Sequence, residues 1–260
     1  MTQILPRLSL SKVSLLIAPE GKAAAVECPG IERVHVIEPW YRSSESKREK
    51  FRRWRAFCRE AIERQKEFAS YDTVFFSNPH FCGLTRLFPD AYTIGFDSHA
   101  DRSHFSRVIP WNPHVYLAKV YEEVLDALGF EPRPLESPWK QHVKKPLISG
   151  EYVVMHIGAS DKTKDYSAMM WRRVYEGLKE KGHRVYFTGK GQRHLIEAVT
   201  SDPEENLCDK LSWLELLRVI AHSQLIISVD TVALHIAAAF KRPLVALYRD
   251  APDGATWRPT

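Results

Sequence analysis

Residues 224–240 read QLIISVDTVALHIAAAF. An apolar, β-branched run ends abruptly at Asp230, Thr231 follows, and a helix-like stretch then carries one histidine, His235. A short strand that is apolar on both faces and opens straight into a helix is the building unit of a parallel α/β sheet. The rest of the chain continues that alternation. Strand patterns fall at 13–18, 34–39, 73–78, 92–96, 152–158, 183–189, 224–229 and 243–248. Helical patterns lie near 44–69, 80–88, 113–129, 167–181, 192–200, 212–222 and 231–240, with no internal repeat. Ser212 followed by Glu215 predicts a capping box at the start of one of them. The stretch GFEPRPLESPWKQHVKKPLISGE (129–151) is rich in proline and charge and lacks periodicity, so it reads as a linker. The expected organisation is a first α/β domain over 1–130, a linker over 131–150 and a second α/β domain over 151–260, the two facing a cleft.

Composition narrows the class. The 260 residues are 44% hydrophobic and 27% charged, as in an ordinary globular protein. Four cysteines, Cys28, Cys58, Cys82 and Cys208, are widely spaced and form no CxxC pair. That spacing argues against a disulfide framework or a zinc site and for a reducing compartment. No apolar run approaches the ~18 residues of a membrane span, and no signal-like apolar core is present, so a cytoplasmic location is expected. The net charge of +5 permits an anionic partner without identifying one.

Ligands of open parallel sheets bind beyond the carboxyl ends of the strands, and three such ends carry polar groups. HIGASDKTK (156–164) offers a turn at Gly158, then Ser160, Lys162 and Lys164. TGKGQR (188–193) offers Gly189 and Gly191. At the third, the N–H groups near Thr231 open a helix, which favours an anion. Asp230 there can accept hydrogen bonds from sugar hydroxyls, and His235 lies one turn on, along the same helix face. Each group has a plainer explanation: Asp230 as a helix cap, His235 as a structural histidine, the lysines as solvated side chains. Their convergence points to a pocket for a phosphorylated, hydroxyl-rich ligand such as a nucleotide sugar.

The segments GASDKTKDYSAMMW, VYFTGKGQ, LSWLELLRVIAHSQLIISVDTVALHIAAAFKRPLVALY and DAPDGATWRP together resemble the donor domain of glycosyltransferase family 9, the heptosyltransferases of lipopolysaccharide core assembly. The resemblance covers nearly all of 150–260. It implies a GT-B-like fold of two Rossmann-like domains, a donor such as ADP-heptose, and inverting transfer with no cofactor and no essential metal. It places the family's Asp-Ser/Thr-Gly-x-x-His on Asp230, Thr231, Val232 and His235, its phosphate-contacting hydroxyl pair on Ala159 and Ser160, and its phosphate lysine on Lys164, with Trp171 as the aromatic seven residues on. Val232 stands where the family has glycine, and Arg193 or His194 where it often has an acid. The implied donor set is Ala159, Ser160, Lys164, Gly189, Asp230, Thr231 and His235.

Residues 13–130 resemble the family's acceptor domain more loosely. The opening strand and Gly-Asp loop that carry the family's base have no counterpart. The catalytic residues are therefore unassigned, with Glu20, Asp97 and Asp101 as alternatives; either the true start lies upstream or this is a shortened relative, and the 260 residues as written are expected to bind donor but transfer sugar poorly. In SKREKFRRWRAFCREAIERQKEF (46–68), Phe51, Trp54, Cys58, Ala61, Ile62 and Phe68 share a helical face, with Arg48, Arg52, Arg55 and Arg59 as a stripe beside it. The stripe is either a solvated flank or a binding strip for an anionic glycolipid acceptor at the inner membrane face, where arginine pairs with phosphates and acid sugars. Nucleic acid is not expected, because no reader motif supports it. His99, Asp101, Arg102 and His104 sit in a loop, and His99 and Arg102 are taken as acceptor contacts. Besides the transferase, two other functions fit: a non-catalytic nucleotide-sugar-binding relative and an epimerase.

Overall fold

The computed structural model describes residues 12–38, 46–77, 84–97, 105–112, 114–130 and 137–248. They form two compact units. One comprises Ser14–Val26 and the described part of Glu32–Asn112; the other comprises Lys12, Val13, Glu27–Ile31 and the described part of Pro113–Thr260.

Mostly in the first unit, apart from Val13 and Ile31, β1 (Val13–Ile17) pairs with β2 (Ile31–Val36), with α1 (Lys22–Val26) between them in the chain. A second sheet has the order β3 (Thr73–Phe75), β4 (Tyr92–Phe96), β5 (Arg107–Ile109) and is parallel throughout. β5 was not foreseen; at three residues it is too short to show an alternating pattern. α2 (Lys47–Glu63) starts on a capping box that the sequence reading did not single out. Ser46 Oγ accepts from the Glu49 N–H at 3.4 Å, and the Glu49 carboxylate accepts from the Ser46 N–H at 3.0 Å. The expected apolar face of this helix is only partly the packed one. Phe57 and Ala61 enter a core with Ile37, Phe68, Phe76 and Phe88, whereas Phe51, Trp54 and Ile62 remain exposed. The chain breaks its helix at Arg64, so Phe68 belongs to the separate α3 (Gln65–Phe68).

The second unit carries a four-stranded, wholly parallel sheet. Its order is β7 (Val185–Phe187), β6 (Val153–His156), β8 (Leu225–Val229), β9 (Leu244–Leu247). The period-2 alternation of β6 fills both faces. Tyr152 and Val154 point into a core with α7 (Trp213–Ala221) and α8 (Val232–Ala239). Val153, Met155 and Ile157 point the other way, against α5 (Ala168–Glu180) and α6 (Arg193–Glu197). Trp171, in the first turn of α5, is wholly buried there. α7 begins on the expected capping box: Ser212 Oγ accepts from the Glu215 N–H at 3.3 Å, and Glu215 accepts from the Ser212 N–H at 2.8 Å.

The unit boundaries differ from the expected 1–130, 131–150 and 151–260. α4 (Leu117–Ala127) groups with the C-terminal unit. Residues 131–136 lie outside the described residues, but from Ser137 onward the expected linker is a strap docked on that unit. Trp139 and Val143 are buried in its core, with Trp139 edge-on to Trp213 at 6.0 Å. The carbonyls of Ser137 and Trp139 are met by backbone N–H groups of a turn, and those of the strap's second half by side chains rather than by a strand or helix ladder. Arg218 donates to Lys145 O at 2.8 Å and Pro146 O at 3.2 Å, His222 Nε2 lies 2.6 Å from Val143 O, and Arg184 donates to Ser149 O at 2.7 Å. Backbone groups satisfied this way leave no hydrophobic period in the sequence. Among the described residues, no helix is long and apolar enough to cross a membrane.

Candidate functional site

The predicted donor residues come from the carboxyl edge of the β7-β6-β8-β9 sheet. Beyond β8 the chain leaves the strand at Asp230, and Thr231, in extended conformation, takes the N-cap position of α8. The Thr231 hydroxyl does not cap the helix; it lies 3.2 Å from Ser228 Oγ. Beyond β6, Gly158 and Ala159 lead into a 3-10 turn, Lys162–Lys164, begun by Asp161, whose carboxylate accepts from the Thr163 N–H at 2.9 Å.

The turn aims Lys164 across the edge. Its Nζ donates to Asp230 Oδ2 at 2.7 Å and to Asp230 O at 3.3 Å. An ammonium has three hydrogens, so one stays available for a phosphate oxygen while the pair holds. The side chains of Lys164 and Asp230 are 37% and 19% exposed, close enough to solvent for a ligand to reach them.

His235, in α8, is packed face to face with Tyr116, just before α4, with ring centroids 5.9 Å apart and planes 4° from parallel. The Tyr116 hydroxyl is 3.1 Å from His235 Nδ1. Burial lowers the His235 pKa below its ordinary value, Asp230 raises it and Lys164 lowers it, so the imidazole is neutral near pH 7. Burial also pushes the Tyr116 phenol up to about 12, so it stays protonated.

The loop carrying Ala159 and Ser160 is held by residues the sequence reading did not identify. The Ala159 N–H donates to Asp165 Oδ1 at 3.0 Å, and the Ala159 carbonyl accepts from Gln192 Nε2 at 3.0 Å. Gln192 is buried at the start of α6 and also accepts from Lys162 Nζ at 3.1 Å. It crosses so near Gly158 that a Cβ there would lie 2.6 Å from its amide, so any other residue at 158 would push this hydrogen-bonded side chain aside. Ser160 is exposed. At Gly189 an added Cβ would make only ordinary contacts, the nearest at 3.5 Å, so space does not require glycine there. The sequence assigns no role to Tyr116, Asp165 or Gln192: Tyr116 is 119 residues from His235 in sequence, and Asp165 and Gln192 lie inside the segments GASDKTKDYSAMMW and VYFTGKGQ without a residue-by-residue match of their own.

Arg48, Arg52 and Arg55 lie on α2, in the other unit, and are exposed. His99, Asp101, Arg102 and His104 lie outside the described residues. Of the alternative bases, Asp97 already accepts from the Trp111 N–H at 2.7 Å. Among the described residues, no three of His, Cys, Asp and Glu are grouped to hold a metal.

A parallel sheet whose carboxyl edge presents a lysine, a carboxylate and a helix N-terminus is the arrangement by which α/β proteins take phosphorylated ligands. The pattern of Glycosyltransferase family 9 (heptosyltransferase) matches residues 118–259, more than half of the chain, and the chain belongs to that family. It is 29% identical over 119 residues to lipopolysaccharide heptosyltransferase 3 of Escherichia coli, a match covering 43% of this chain and 35% of that protein. With the protein of that name from strain K12 the identity is 29% over 135 residues, covering 48% and 39%. These matches therefore span little more than a third of the relatives' own length. Among solved structures, the chain superposes on E. coli heptosyltransferase WaaC with ADP at a TM-score of 0.75 and 20% identity, covering 99% of this chain and 86% of that one. It superposes on the family 9 glycosyl transferase of Veillonella parvula DSM 2008 at a TM-score of 0.71 and 17% identity, covering 100% and 79%. At these identities the likeness shows the fold alone: α/β with parallel sheets, of the GT-B kind found in those heptosyltransferases.

Proposed function

We propose that this chain is a glycosyltransferase that moves a heptose from a nucleoside diphosphate donor, ADP-heptose, to a lipopolysaccharide inner-core acceptor, with inversion. One observation carries the reading: Lys164 and Asp230 meet at 2.7 Å at the mouth of the sheet edge, immediately before the N-terminus of α8. Lys164 would neutralise the diphosphate together with the helix dipole, so that no metal is needed for the charge. Asp230 would accept from donor hydroxyls, and the neutral His235, held by Tyr116, would serve as a hydrogen-bonding wall of the site. Ser160 and Thr231 would add hydroxyls, with Ala159 and Gly189 forming backbone walls. Arg48, Arg52, Arg55, His99 and Arg102 would meet the anionic acceptor, and the reaction would take place at the cytoplasmic face of the inner membrane. The structures solved with ADP and with ADP-2-deoxy-2-fluoro heptose, both of E. coli WaaC, support this choice of donor.

Calorimetry tests the site. Asp230→Ala should weaken ADP by roughly 1–3 kcal/mol, the range for hydrogen bonds to a charged group. Lys164→Ala should weaken ADP more than adenosine, since only ADP carries the charge it balances. Equal losses for the two ligands would remove Lys164 from the phosphate role. A second reading, a nucleotide-sugar-binding relative without transfer activity, draws on Ala159, which lacks the hydroxyl of the resembled pair and whose N–H is already held by Asp165. Product analysis with ADP-heptose and a core acceptor separates the two: donor binding without any transferred sugar would favour the second.

A further inference from the structure

α2 has an apolar stripe that the fold uses only at Cys58, which packs half-buried against the core. At 3.6 residues per turn, positions 51, 54, 58 and 62 form one line along the helix. Positions 57 and 61 lie on one side of it and enter the core; positions 48, 52, 55 and 59 lie on the other side, away from the core. Phe51, Trp54 and Ile62 in the line are 60%, 47% and 69% exposed, and the Phe51 and Trp54 rings stack at 6.0 Å. The adjoining line consists wholly of arginine: Arg48, Arg52, Arg55 and Arg59, all exposed. Arg53 and Arg64, which lean toward the core, are paired with Glu38 and with Glu60 and Glu67. By contrast, no ion pair joins Arg48, Arg55 or Arg59 to a described residue.

We infer that α2 docks the protein on an anionic lipid bilayer, with Phe51, Trp54 and Ile62 entering the interface and the arginines lying against the headgroups. The charge pattern commits the surface to this occupant. Aromatic residues beside a cationic line are the composition of a helix that lies in the membrane plane, and an aromatic ring pair suits the headgroup boundary. Arg48, Arg55 and Arg59, left unpaired, would face lipid phosphates on one side of the apolar stripe, while the packed side at Phe57 and Ala61 keeps the helix on the protein. The inference extends the acceptor role proposed for Arg48, Arg52 and Arg55, which would meet the phosphates of the bilayer that carries the acceptor, and it does not depend on sugar transfer, because the lipids need carry no sugar.

The test is co-sedimentation of the full chain with vesicles. Phosphatidylglycerol mixed with phosphatidylethanolamine should bind it, and pure phosphatidylcholine should bind it weakly. Phe51→Ser with Trp54→Ser should lower partition at least about tenfold, given the apolar area withdrawn. Arg48→Gln, Arg52→Gln and Arg55→Gln should each lower it by about fivefold at low salt, an effect that shrinks as salt rises. Because these side chains are exposed, the variants should fold, and unchanged ADP binding by the Phe51/Trp54 variant checks this. Trp54 emission should shift to the blue on adding anionic vesicles. Equal partition of wild type and variants would overturn the inference. So would binding that appears only when glycolipid acceptor is added, or self-association abolished by Phe51→Ser/Trp54→Ser without any vesicle binding. Loss of ADP binding by Lys164→Ala would leave it untouched.

Discussion

His156 and His235 both stand at the carboxyl edge of the β7-β6-β8-β9 sheet, and burial keeps both neutral. His156, at the end of β6, shares a hydrogen bond of 2.9 Å with the Thr188 hydroxyl, and burial lowers its pKa from 6.5 to about 4. Between those two values only the unfolded chain takes up the proton, so stability should fall as pH drops through 6.5 and level off near 4. The full loss from this one residue is about 3 kcal/mol. His235 acts with the same sign over a window that also lies below 6.5. Urea midpoints measured from pH 7 down to pH 5 should therefore decline, and His156→Gln should flatten the decline whatever it does to stability at pH 7. An unchanged slope in that variant would mean that His156 is protonated in the folded protein. Near pH 7 the two neutral histidines add no charge beside Lys164, the cation bonded to Asp230.

At the level of elements, the strap from Ser137 to Ser149 behaves as part of the core. Trp139 is 6% exposed and packs on Trp213, so Trp139→Ala should cost about 3–5 kcal/mol, the range for a buried aromatic removed from a core. A residue of a free linker would cost less than about 0.5 kcal/mol. Equilibrium unfolding in urea distinguishes the two, and a small loss would return the segment to the linker reading. The strap also shows what the sequence could carry. β8 and α8 were legible because a short β-branched apolar run ends abruptly at Asp230 and a longer alanine-rich apolar run follows it, and α7 because Ser212 and Glu215 sit at a fixed spacing. The strap was not, because the carbonyls of its second half are satisfied by Arg218, His222 and Arg184 from distant elements. In α2 the helix was legible but its orientation was not: the apolar stripe reads as inward, yet packing uses Phe57, Cys58 and Ala61 and leaves Phe51, Trp54 and Ile62 exposed. The Lys164–Asp230 meeting was foreshadowed by two strand ends in one sheet, whereas Tyr116 against His235 depends on a tertiary contact that no local pattern encodes.

Across the whole molecule, the donor site and the exposed face of α2 belong to different units. Lys164, Asp230, Thr231, His235 and Tyr116 all lie in the described part of Pro113–Thr260, and α2 lies within Glu32–Asn112. The two ligands should therefore leave separate marks on amide exchange, because protection follows the local openings that binding suppresses. A nucleoside diphosphate should slow exchange at 158–165 and at 231–236, where the loop after β6 and the first turns of α8 meet it. Val232, the first helical residue of α8, is 46% exposed, so its amide reports ligand contact more directly than those of the buried strands. Anionic vesicles should slow exchange in 47–63 and leave the donor loops as they were. Lys164→Ala should erase the first pattern and keep the second, and Phe51→Ser with Trp54→Ser should do the reverse. If ADP protects 47–63 as strongly as 158–165, the division of labour between the units fails, and the arginine line of α2 becomes a second phosphate contact rather than a bilayer contact.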